Sequence, residues 1–123
     1  MKSDKLSDMS MDALINHFAE IGVLQDDALW NGKYSYFNRL YDRMDKVDKE
    51  LRSRGLDARC ALSRLFTHPN IQVRLQAAKF SLGVEPAGAY RVIKDISNSK
   101  LFPQAGDAGM TLVNLERGIF KPD

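Results

Sequence analysis

The sequence predicts an all-α protein of about six helices, packed as antiparallel hairpins in a short α-α superhelical stack. Three observations predict it. Apolar residues recur at spacings of three and four along nearly the whole chain, and no segment alternates in the manner of a strand. Glycine, proline and Ser/Asn clusters break that pattern at intervals that leave only short loops. One segment, about 70–82, carries apolar residues on two sides, as a helix inside a stack requires.

The first helix is expected over about 11–24, capped by Ser10 or Asp12, with Leu14, Ile15, Phe18, Ile21 and Leu24 on one face. Gln25-Asp26-Asp27 then reads as a polar break. A second helix, about 27–54, has an apolar seam of Trp30, Tyr34, Phe37, Tyr41, Met44, Val47 and Leu51, with Leu40 beside it. Its other side holds acid-first i,i+4 pairs: Asp42–Lys46, Asp45–Lys49, Asp48–Arg52 and Glu50–Arg54. Gly55 suits a left-handed helix end.

A third helix, about 57–67, is expected to start at Asp57 and to bury Ala58, Ala61, Leu62, Leu65 and Phe66. His68-Pro69-Asn70 forces a turn, because a residue before proline avoids the α region. The fourth helix, about 70–82, buries Ile71, Leu75, Ala78 and Leu82 on one face and Val73, Ala77 and Phe80 on another. Pro86 opens a fifth, about 85–97, with Ala89, Tyr90, Ile93 and Ile96 on one face, and Ser97-Asn98-Ser99 stops it. Pro103 opens a sixth, about 103–118, with Ala105, Ala108, Leu112, Leu115 and Ile119 inward and Gly118 closing it. The tail can fold back through Ile119 and Phe120.

A chain of 123 residues fits one domain and can bury a core without metal or disulfide. The expected organisation is a solvated, flexible tail over 1–10 followed by one helical domain over 11–123. That tail lacks the apolar block of a secretory signal, and no apolar run reaches the roughly 20 residues that span a bilayer. The single cysteine, Cys60, excludes an internal disulfide and suits a reducing cytoplasm. Net charge is +2. Residues 1–55 carry 9 basic against 10 acidic side chains, and residues 56–123 carry 9 against 6. So mild an asymmetry argues against a dedicated nucleic-acid binder.

No metal or cofactor motif is present. His17, His68 and Cys60 are too few and too scattered for a ligand set, and His68 reads as a loop residue. A Cys60–His68 nucleophilic pair would lack a third partner. The glycines of Gln104-Ala105-Gly106-Asp107-Ala108-Gly109 lack the Lys-Ser/Thr ending of a phosphate loop and read as close helix contacts. Asp107 is a candidate ion-pair partner for Arg74.

Two surface groups stand out. Tyr36, Asn38, Arg39 and Arg43 lie off the apolar seam, and their residue types are enriched where proteins bind partners. Arg59, Arg64, Arg91 and Lys94 form a candidate surface for an anionic partner, should they align across helices three and five.

The segment His68 to Leu82, with its turn, its Val73-Arg74 pair and its two alanines, resembles the first helix of a HEAT-like repeat. A shift of 32 residues sets Val73 over Ala105, Ala77 over Gly109 and Phe80 over Leu112. Phe37–Asp42, Glu50–Gly55, His68-Pro69-Asn70, Gln72–Ala78 and Pro103–Met110 together resemble a small bacterial domain-of-unknown-function family, number 2019, over about residues 11–121. The resemblance implies a HEAT-like helical fold and carries no activity.

The expected function is therefore a non-enzymatic protein-interaction module of the cytoplasm, an adaptor or toxin-immunity-like binder, with another protein as partner and no cofactor or membrane. The alternative is a small-anion or nucleic-acid binding domain that uses the basic residues of helices three to five. The sequence does not give the oligomeric state.

Overall fold

The computed structural model describes residues 5–123, and its described elements are helices and turns without a strand. The chain forms two compact units, Met1–Ala61 and Leu62–Asp123.

The first unit is built on a helical hairpin, α1 (Met11–Trp30) and α2 (Tyr34–Ser53). Ser10 caps α1, its hydroxyl accepting from the Ala13 N–H at 3.1 Å. The helix does not stop at Gln25-Asp26-Asp27. Gln25 is fully buried and continues the inward row of Leu14, Phe18 and Ile21 towards Ala28. Nothing in that tripeptide breaks a helix sterically, and burial of the row outweighs its polarity. The chain turns instead at Asn31-Gly32-Lys33, where Gly32 adopts φ 68° and the Lys33 N–H donates to the Ala28 carbonyl.

Moving the turn by several residues changes what the seam holds. Leu40, Met44, Val47 and Leu51 are buried with Leu14, Ile15, Phe18 and Ile21 in this unit. Trp30 and Tyr34 flank the turn and stand 73% and 65% exposed, and Tyr41 and Leu24 are also exposed. The expected inward placement of these four is corrected accordingly.

Of the expected solvated tail over 1–10, residues 1–4 lie outside the described residues. Leu6–Asp8 forms a 3-10 turn, and Arg54 near the end of α2 donates from Nη2 to the Leu6 carbonyl at 3.0 Å. Three of the expected α2 ion pairs form: Asp45–Lys49, Asp48–Arg52 (2.7 Å) and Glu50–Arg54 (2.9 Å). Asp42 and Lys46 do not pair among the described residues. Gly55, at φ 106°, leads into the short α3 (Leu56–Cys60) in place of an Asp57 cap.

The second unit starts within a 3-10 helix, Ala61–Thr67, where a continuous α-helix was expected. The tightened turns lead into His68-Pro69, which cannot carry the helix on. Asn70 then caps α4 (Ile71–Ser81), its side-chain oxygen accepting from the Gln72 and Val73 N–H groups at 2.8 and 3.1 Å. α5 (Pro86–Asn98) and α6 (Gln104–Glu116) complete the unit, with α5 packed against both α4 and α6.

Its core joins Leu75, Ala78 and Leu82 of the α4 segment to Ala89, Ile93 and Ile96 of α5 and to Ala108 and Leu112 of α6. Phe66, Leu115 and Phe120 lie against this cluster. Gly118 ends α6 at φ 70° and folds Phe120 back, while Ile119 and Tyr90, both expected inward, face solvent. Val73 and Ala77 are fully buried on the second side of α4, with Gln72 and Gln76 beside them. Gln104 Nε2 donates to Gln72 Oε1 at 3.0 Å, which links α4 and α6 at the 32-residue shift read from the sequence.

Candidate functional site

α2 is the most highly charged helix of the first unit, and its charges divide along its length. From Asp45 onward the acids are engaged by Lys49, Arg52 and Arg54. The Asp45 carboxylate raises the Lys49 pKa by hydrogen bonding and charge. The first half of the helix has no such pairing. Tyr36, Arg39, Arg43 and Lys46 follow one another at spacings of three, four and three, which puts them on one ridge.

Tyr36 is half-buried, and the other three are exposed. The Arg39 guanidinium sits over the Tyr36 ring, 5.6 Å from its centroid. A cation over an aromatic face gains roughly 0.5–1 kcal/mol at an exposed site, so Arg39 is held in place with its N–H edge available. Asn38, two positions from Tyr36, falls on the other side of the helix, next to Tyr34 and Tyr41. The structure therefore brings together three of the four residues singled out in the sequence, adds Lys46, and separates Asn38.

Trp30 and Tyr34 lie at the hairpin tip from which this ridge starts. Both were read as core, because their spacing matches the seam when the turn is placed too early. The ridge itself was legible as a three-four spacing of Tyr36, Arg39, Arg43 and Lys46. Assigning Lys46 to Asp42 concealed its last member.

Asp48 is a second departure. It was expected on the solvated side, yet it is 2% exposed. Burial raises its pKa, against the opposing effects of the Arg52 hydrogen bond and the positive charges of Arg52 and Arg59; Asp45 adds to the rise. Arg59 thus acts on Asp48 inside the first unit. Of the basic group Arg59, Arg64, Arg91 and Lys94, only Arg91 and Lys94 share an element. They line a shallow groove on α5 with Pro86, Ala87, Tyr90 and Asp95.

The remaining candidates have local roles. His68 Nδ1 accepts from the Asn70 N–H at 3.0 Å, which fixes the ring in the turn. Arg74 donates to the His68 and Pro69 carbonyls at 2.7 and 3.0 Å. It does not reach Asp107, which pairs with Lys79 at 2.9 Å. The side chain of a helical residue leans towards the helix N-terminus, so Arg74 covers its own turn while Lys79, further along α4, meets α6. Gly106 and Gly109 lie inside α6, not in a phosphate-type loop. Among the described residues no group of three or more His, Cys, Asp or Glu is placed to hold a metal ion. No described helix is long and apolar enough to cross a membrane.

A family model described as a domain of unknown function, DUF2019, matches residues 12–116. The chain belongs to the DUF2019 family. This DUF2019 domain is similar to the protein RPA1889 from Rhodopseudomonas palustris CGA009, whose crystal structure matches with a TM-score of 0.92 at 49% identity. The match covers 97% of this chain and 98% of that chain. No curated protein matches the DUF2019 chain.

Proposed function

We propose that this DUF2019 domain is a non-enzymatic protein-interaction module, an adaptor or immunity-like binder built on a short HEAT-like stack. The observation that carries the reading is the exposure of Trp30 and Tyr34 on either side of the Asn31–Lys33 turn. Tryptophan and tyrosine are the side chains that most often anchor protein interfaces, and leaving two of them in water without a partner forgoes their burial. The first half of α2 also carries the exposed arginines Arg39 and Arg43, the third residue type enriched at such anchors.

The HEAT-like assignment is supported by α4 and α6, which meet at a 32-residue shift, with α5 packed against both. A rigid stack of this kind presents preformed surfaces, which lowers the ordering cost of binding. The free thiol of Cys60 suits a cytoplasmic setting. The groove on α5 favours an anion-binding role less, because Asp95 borders Arg91 and Lys94 there.

The test is photo-cross-linking in the native host, with a benzophenone amino acid at position 30 of the full chain and, as control, at position 87 on α5. A discrete protein adduct from position 30, reduced at least fivefold by Tyr34→Ala, supports the reading. Equal labelling from both positions contradicts it.

A further inference from the structure

We propose that the ridge formed by Tyr36, Arg39, Arg43 and Lys46 receives an acidic helix of a protein partner, one with carboxylates spaced a helical turn apart. This rests on the protein-binding reading above and names the chemistry of the partner. The three cations lie on one line of α2 and extend about 10 Å from Arg39 to Lys46 at 1.5 Å per residue. None of the three has an ion-pair partner among the described residues. The acids further along the same helix are already engaged by Lys49, Arg52 and Arg54, so they do not neutralise the ridge from within. Asp42 flanks the ridge on α2, three residues from Arg39 and four from Lys46, and Glu50, one turn beyond Lys46, is engaged by Arg54.

The geometry favours carboxylates on a helix over other anions. Successive cations stand one turn apart, the same repeat as acidic residues at three- and four-residue spacings on a facing helix. Arg39 is stacked on Tyr36 and presents a planar fork, which matches a carboxylate bidentately. Three charges on a single line form a small footprint for a nucleic-acid backbone, which is usually met by a broad basic surface. The half-buried Tyr36 gives an apolar end to the charged line, where the partner helix can bury an aliphatic residue.

The experiment measures fluorescence anisotropy of the full chain with three labelled probes at two salt concentrations. The first is an alanine-rich helical peptide with a leucine followed by glutamates at three- and four-residue spacings. The second is the same peptide with glutamine for glutamate, and the third is a duplex DNA of equal length. The glutamate peptide is expected to bind at least tenfold tighter than the glutamine peptide and the duplex, and to weaken as salt rises. Arg39→Glu/Arg43→Glu is expected to lose at least tenfold for that peptide while unfolding at the wild-type temperature, and Lys94→Glu on α5 is expected to retain binding. Preference for the duplex, no preference for glutamate over glutamine, or an equal loss in Lys94→Glu overturns the proposal. A cross-link from position 30 alongside any of those results leaves the interaction reading standing and removes only the acidic helix.

Discussion

Gln104 and Gln72 hold one hydrogen bond, Nε2 to Oε1 at 3.0 Å, between two buried side chains that stand 32 residues apart. It ties α6 to α4. An orphaned buried amide carries a desolvation penalty, which this pairing relieves for the Gln72 oxygen and the Gln104 nitrogen.

Gln104→Ala should therefore destabilise by about 1–3 kcal/mol, since it leaves the Gln72 oxygen without this donor. The Gln72→Leu/Gln104→Leu double variant should cost less than the two single leucine variants combined, as the orphaned partner is then removed too. Urea unfolding of the four proteins gives the coupling. Strict additivity would mean that the two amides do not act as a pair.

Leu112 joins α6 to the cluster of Ile93 and Ile96. Leu112→Ala should cost roughly 2–5 kcal/mol. On α4, Ala77 has no exposed surface, and Ala77→Leu should cost about 1–3 kcal/mol by overpacking. Thermal unfolding checks both, and an unchanged melting temperature in either would mean that its helix is loosely docked.

Two glycines should respond in opposite directions. A Cβ on Gly109 would meet Ser97 Oγ at 3.5 Å, an ordinary contact, within the helix α6. Gly109→Ala should stabilise by about 0.5–1 kcal/mol through helix propensity. Gly55 meets nothing within 4 Å but sits at φ 106° and ψ 178°, a conformation that L side chains rarely adopt. Gly55→Ala should cost roughly 1–3 kcal/mol from backbone strain alone.

Much of this architecture could be read from spacing. The turn at His68-Pro69-Asn70, the two buried sides of α4, the left-handed Gly55 and the helix end at Gly118 follow from residue type and position. The first hairpin was harder. Gln25 fills a core position that a polarity rule assigns to a loop, and that displaced the turn and drew Trp30 and Tyr34 into the seam. Asp48 was read as a surface partner of Arg52, because an i,i+4 pair looks the same in sequence whether or not its acid is buried. On the ridge, Arg39 and Arg43 were identified from composition. Lys46 was missed because whether an ion pair closes depends on side-chain conformation, which spacing does not determine.

Asp48 makes stability depend on pH with a sign opposite to that of a well-paired carboxylate. Its folded pKa lies above the ordinary aspartate value of 3.8, so the folded state holds the proton more tightly than the unfolded state. Its contribution is greatest when protonated and is lost as pH climbs from that value through the raised folded one. Asp48→Asn removes the titration. Urea unfolding across the acid range should show the stability of the variant rising relative to wild type over that window. A relative fall would mean that the Arg52 and Arg59 charges outweigh burial.

The most direct measurement is a hydrogen-exchange footprint of the full chain with and without the protein captured from position 30. Protection is predicted around the hairpin tip and along α2, in peptides covering residues 28–46, and should be largely lost in Arg39→Glu/Arg43→Glu. Protection confined to α5, around residues 86–95, would contradict the assignment of the binding surface.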